Sequence, residues 1–177
     1  MRIWQRAFVA GVVAMSGMVG LAHAQKAAPV KVMMKTSDGK DAGTVTLKEA
    51  KNGVKVTAKL KNLPIGDHAI HVHEAAKCDA PDFKTAGPHF NPGGKKHGLK
   101  NPEGPHAGDM PINLTVGPDG TVDSSFLAKG ISLDPGATNS VFANGGTSIV
   151  VHEKADDMMT DPSGASGNRI ACGVVAR

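Results

Sequence analysis

The 177 residues carry a formal charge of +4, with 22 glycines, 11 prolines, two cysteines, no tyrosine, one tryptophan and five phenylalanines. A balance this mild, with no Lys/Arg run longer than a pair, argues against a nucleic-acid partner. Few aromatics means a core of Val, Ile, Leu, Ala and Met. The chain opens with the three parts of a secretory leader: Arg2 and Arg6, an apolar run over residues 7–21, and Ala22-His23-Ala24 before Gln25. Cleavage is expected after Ala24, dividing the chain into a 1–24 signal peptide and a 25–177 domain. The apolar run falls short of the roughly 18 residues a spanning helix needs, so no membrane association is expected after cleavage. An uncleaved anchor is the alternative. The short, Arg-bearing start suits a bacterial signal, which makes the periplasm the expected location and the extracellular space the second. Removing the leader takes away Trp4 and two arginines, so the mature charge falls to +2.

Along residues 25–177, apolar and polar residues alternate in short runs, the period of a half-buried strand. Strands are predicted over residues 30–34, 43–47, 54–60, 68–74, 112–116, 121–126, 148–152 and 170–176. Ser37-Asp38-Gly39, Lys51-Asn52-Gly53 and Pro118-Asp119-Gly120 supply turns between them. Eight short strands without an amphipathic helix predict an all-β fold, an antiparallel barrel or sandwich. Two stretches break the rhythm, residues 75–111 and 153–168, both rich in Gly, Pro and Asp. Structureless loops of this length are usually functional or disordered, and these read as loops folded around a site. Met158-Met159 in the second admits a copper-thioether reading beside ordinary loop packing. Cys78 and Cys172 are the only cysteines. Export makes their pairing the economical expectation, with two free buried thiols as the alternative.

Seven of the eight histidines form one series: His68, His71, His73, His89, His97, His106 and His152, with Asp109 three residues after the sixth. On a strand, residues two apart share a face, so His71 and His73 can bind one ion while Val72 enters the core. His152 ends the apolar strand Ile149-Val150-Val151 and can converge on the same ion. His89, His97, His106 and Asp109 are spread over a Gly/Pro loop that can wrap a second ion. Three imidazoles and a carboxylate leave no open position, which suits a structural zinc. The inventory is that of two metal ions sharing a ligand. Neither His73-Glu74 nor His152-Glu153 is followed by the second helical histidine of a zinc peptidase, so that class is excluded.

Six motifs then carry a resemblance: Gly66-Asp67-His68-Ala69-Ile70-His71-Val72-His73-Glu74, Ala86-Gly87-Pro88-His89-Phe90-Asn91-Pro92, Lys96-His97-Gly98, His106-Ala107-Gly108-Asp109, Val151-His152-Glu153-Lys154-Ala155-Asp156-Asp157 and Gly167-Asn168-Arg169-Ile170-Ala171-Cys172-Gly173. Together, and in order over essentially the whole mature chain, they resemble a Cu/Zn superoxide dismutase of the bacterial secreted type. The resemblance implies an eight-stranded Greek-key barrel with two long functional loops. It implies copper on His71, His73, His89 and His152, zinc on His89, His97, His106 and Asp109, and His89 as the bridge. It further implies that Asp156 orients His71 and His97, that Arg169 receives the superoxide anion, that Cys78 pairs with Cys172, and that His68 is structural. The segment from Cys78 to His89 is longer, and that from Asp156 to Arg169 shorter, than in the eukaryotic branch. Dimer geometry therefore does not transfer: a homodimer is compatible with the resemblance, and so is a monomer. Lys84, Lys95, Lys96 and Lys154 are candidates for guiding the anion, against simple solvation. The competing reading is a periplasmic copper/zinc carrier or buffer without turnover, which has no use for Arg169.

Overall fold

The computed structural model describes residues 28–177, so the expected leader and its cleavage point lie outside the described residues. Eight antiparallel strands appear in the predicted order: β1 (Val30–Thr36), β2 (Asp41–Ala50), β3 (Gly53–Leu60), β4 (Gly66–His73), β5 (Asp109–Val116), β6 (Val122–Ala128), β7 (Thr147–His152) and β8 (Arg169–Val175). Their order in the sheet is β5-β4-β7-β8-β1-β2-β3-β6. β5 and β6 come together at the remaining seam without a hydrogen-bonded ladder, so the barrel is nearly closed. The links from β3 to β4 and from β6 to β7 each pass over two intervening strands around the barrel, which is Greek-key connectivity. Among the described residues no helix is long and apolar enough to cross a membrane.

Alternation sets the interior. Val45, Leu47, Val54, Val56, Ile70, Val72, Leu114, Ile149 and Val151 are buried in one aliphatic core. β4 from His68 onward, and all of β7, are buried on both faces, because the barrel lies under one face and the loops cover the other. A second, smaller cluster of Phe83, Ala86, Val150 and Cys172 sits beneath the β4–β5 loop, outside the barrel. Cys78 and Cys172 form a disulfide across 94 residues, which ties that loop to β8. Chain entropy alone would make such a cross-link worth about 4.7 kcal/mol at most.

Strand boundaries differ from expectation by up to three residues, most informatively at the start of β5. The first long loop was expected to run through Pro111, yet β5 begins at Asp109, which pairs with His71. The ladder then skips to Asn113 opposite Ala69, leaving Pro111 inside a bulge on an edge strand that pairs only with β4. A bulge needs no ladder N–H from proline, so the residue that signals a loop is tolerated in a strand.

Candidate metal centre

The site is assembled on the outer face of β4 and β7. Val72 points into the core, so its neighbours His71 and His73 face outward. The register sets His73 opposite Ser148 on β7, and His152 opposite Arg169 on β8. Loop residues arrive through a closed backbone triangle: Phe90 N–H donates to Val72 O (2.8 Å), Gly108 N–H to Phe90 O (2.8 Å), and Val72 N–H to Gly108 O (2.9 Å). His89 and Asp109, each one residue from that triangle, are thereby placed against β4. The approach is close enough that a Cβ on Gly108 would lie 2.2 Å from Val72 O.

One ring nitrogen each from His71, His73, His89 and His152 lies within 4.8 Å of the others, and all four residues are buried. The opposite nitrogens show which ones are free. His71 Nε2–H donates to Asp156 Oδ2 (2.8 Å) and His73 Nδ1–H to Gly87 O (2.8 Å). His152 Nδ1 lies 3.1 Å from Ser166 Oγ and 3.4 Å from Gly167 O. A neutral imidazole has a single N–H, so the remaining nitrogens present lone pairs. His73 Nε2 and His152 Nε2 face each other at 3.3 Å, while His71 Nδ1 and His89 Nε2 are buried with no hydrogen-bond partner. Converging lone pairs repel unless a cation lies among them.

The second group surrounds Asp109. Its Oδ1 lies 3.0 Å from His89 Nδ1, 3.0 Å from His97 Nδ1 and 3.3 Å from His106 Nδ1. Its Oδ2 accepts the N–H groups of Gly98 and His106, both at 2.9 Å. For metal bonds near 2.0–2.1 Å, a tetrahedron has edges of about 3.3 Å, so these donors are spaced for one ion. His71 also comes within reach of His89, His97 and Asp109. The ring of His89 stands between the groups, with Nδ1 toward Asp109 and its centroid 4.0 Å from that of His71.

Arg169 is fixed by two carbonyls of the disulfide-tethered loop, with Nη1 donating to Phe83 O (2.6 Å) and Nη2 to Gly87 O (2.7 Å). Gly87 O thus serves both Arg169 and His73. Arg169, Lys84, Asn168 and Gly167 line a surface cleft of about 660 Å³ together with Asp82 and Glu153. Of the four candidate guiding lysines, only Lys84 lines this cleft. Lys95 lines a separate depression with His106, Lys96 pairs with Asp161, and the Lys154 backbone is bonded to Ala69 and Ser166.

The family model for copper/zinc superoxide dismutase matches residues 41–175. The chain belongs to this family. A superoxide dismutase [Cu-Zn] of Aquifex aeolicus is 49% identical over 138 residues, covering 77% of this chain and 81% of the relative. A double mutant of a SOD-like protein from Bacillus subtilis superposes with a TM-score of 0.80 at 40% identity, covering 83% of this chain and 97% of that one. The Cu/Zn superoxide dismutase from Brucella abortus gives 0.67 at 31%, covering 84% and 99%.

Electrostatics in this dismutase fold prepare the rings for metal. Burial holds the His71 and His73 pKa values below the usual range, and lowers His89 to about 4 and His152 to about 2. These imidazoles are neutral at pH 7, as a ligand must be. His97 is the exception. Burial pulls its pKa down, but hydrogen bonds to Asp109 and Asp156 on its two nitrogens outweigh that and raise it to about 9. Burial pushes the Asp109 and Asp156 carboxyls up, yet the surrounding imidazoles hold both well below the carboxylate range. Burial lowers Arg169, with Asp82 opposing.

Asp156 reaches a second ring as well, since its Oδ1 accepts His97 Nε2–H at 2.9 Å. Two supports gave no signal in the sequence. Asn113 on β5 grips the Asp156 backbone from both sides, accepting its N–H (2.8 Å) and donating to its carbonyl (3.0 Å). Gly164 (φ +66°) passes so near the carboxylate that a Cβ there would lie 1.8 Å from Asp156 Oδ1 and 2.8 Å from His97 Nε2. Gly164→Ala should therefore displace Asp156 and weaken metal retention at least tenfold, read by chelator competition; retention equal to the parent would show that the loop yields instead. A metal bound at His97 Nδ1 would have to displace a proton below pH 9, and in that case zinc affinity of the metal-free protein should rise by up to about tenfold per pH unit toward pH 9 and then flatten. Titration of zinc binding between pH 6 and 10 reads this directly.

Proposed function

We propose that this chain converts superoxide to oxygen and hydrogen peroxide, with copper held by His71, His73, His89 and His152 and zinc by His89, His97, His106 and Asp109. The observation that carries this reading is the set of orphaned ring nitrogens. Among the described residues, His71 Nδ1, His89 Nε2 and His106 Nδ1 are buried ring nitrogens without a hydrogen-bond partner, and each belongs to one of the two sets. His71 serves one ion only, because Asp156 occupies its other nitrogen; His106 takes the fourth place beside Asp109.

Four imidazoles suit copper, and three with a carboxylate suit a closed zinc site. Copper bound there would supply the one-electron chemistry by which two superoxide ions and two protons give one O₂ and one H₂O₂. The chain supplies charge and protons. Arg169 uses two of its five N–H groups on Phe83 O and Gly87 O, which aims the guanidinium and leaves the others for an incoming anion. His89 Nε2 would carry a proton to the reduced second anion when it is not held by the metal, while Nδ1 stays with the zinc set. Pro64, Ser37 and Ile170 extend the cleft beside Arg169.

Residues 25–177 form the mature enzyme in this reading, exported to the periplasm after cleavage behind Ala24. The Cys78–Cys172 bridge fits an oxidising compartment. Metal analysis with a superoxide-consumption assay tests the whole reading. Tight binding of both metals without turnover would instead make the chain a carrier. Arg169→Ala should keep both metals and lower kcat/KM by about tenfold or more, the scale of electrostatic capture; an unchanged rate would remove Arg169 from the reaction. His89→Ala should lose most activity and erase the effect of zinc on the copper electron paramagnetic resonance spectrum, and a persistent effect would mean that the ring is no bridge.

A further inference from the structure

Asp156 answers one end of His97, but the carboxylate five residues later touches the zinc set as well. Asp161 Oδ1 accepts the backbone N–H of His97 at 2.8 Å, and its Oδ2 lies 3.4 Å from Lys96 Nζ. The same Oδ1 stands 3.9 Å from His106 Nε2. Within the zinc set, His97 Nε2 is held by Asp156 and His89 Nε2 turns to the copper set. His106 is the ring whose second nitrogen still needs an acceptor. Its Nδ1 lies 3.3 Å from Asp109 Oδ1 without the alignment of a hydrogen bond, as befits a ligand atom rather than a donor. Once Nδ1 offers its lone pair, the single proton of the neutral ring must sit on Nε2.

We propose that Asp161 is a positioning residue for the zinc set, accepting the Nε2 proton of His106 while it holds the His97 backbone. The inference rests on the reading of His89, His97, His106 and Asp109 as one zinc site. A carboxylate on the distal nitrogen of a ligand imidazole fixes its tautomer and raises its basicity. Asp161 would do this for His106 as Asp156 does for His97. The β7–β8 loop then grips two ligands of a site whose own ligands all lie elsewhere in the chain. Lys96 Nζ pairs with the other oxygen of the partly exposed Asp161 carboxylate.

The test uses the full mature protein with its disulfide intact. Zinc affinity is measured by chelator competition in the parent, Asp161→Asn and Asp161→Ala, and the ring N–H of His106 is followed by nitrogen-15 NMR with zinc bound. Asp161→Asn keeps an acceptor oxygen for both the His97 N–H and the His106 Nε2–H but loses the charge, so it separates loop capping from the effect of the carboxylate charge on the His106 ring. Both variants should bind zinc about 10- to 100-fold more weakly. The His106 Nε2–H should exchange slowly in the parent and faster in the variants, with the His97 Nε2–H unchanged. Asp161→Asn binding within twofold of the parent, or unaltered His106 exchange, overturns the proposal. Should Asp161→Ala not fold, Asp161→Asn and the parent spectrum decide. A parent that binds no zinc, or binds it with the His106 proton on Nδ1, brings down the zinc reading itself and this inference with it.

Discussion

Six buried imidazoles, those of His71, His73, His89, His97, His106 and His152, are packed on one wall of a barrel so that ring nitrogens face ring nitrogens or a single carboxylate oxygen. Burying polar atoms without partners is costly, typically 1–3 kcal/mol per group, and hydrogen bonds among them cannot repair it because there are too few protons to share. Cations can. The arrangement is thus unfavourable as a fold in isolation and favourable as a receptacle, and most other features of the molecule serve to keep it assembled.

That support comes from three directions. The barrel provides a rigid floor, with Ile70, Val72, Ile149 and Val151 locking β4 and β7 from inside. The β4–β5 loop is pinned by its backbone triangle to β4 and by the disulfide to β8. The β7–β8 loop brings Asp156, itself clasped by Asn113, across both groups of rings. Gly87 concentrates two of these demands in one carbonyl, which orients His73 and aims Arg169. Reducing the disulfide would reach both the guanidinium and the His73 ring through this carbonyl.

Much of this was legible in the sequence because it is periodic. Alternation located all eight strands, and the i, i+2 spacing of His71 and His73 put both on the outer face while Val72 filled the core. Where periodicity ends, so does legibility. Pro111 argued for a loop, and only the bulge opposite Ala69 and His71 shows why a strand can start at Asp109. Asn113 and Gly164 belong to no motif and carry no periodic signal of their own. Their roles depend on contact with a carboxylate that no local pattern brings near. The motif resemblance pointed to Asp156 and Arg169, whereas spacing alone did not.

Asp156 takes one ring from each set, and His89 stands in both. Ordering either group therefore orders part of the other before its own ion arrives. Occupancy of the two positions is consequently a linked equilibrium, and linkage is symmetric: whatever factor one ion adds to the affinity for its neighbour, the neighbour returns in full. A cell that supplies either metal scarcely would, through this shared scaffold, also loosen its hold on the abundant one.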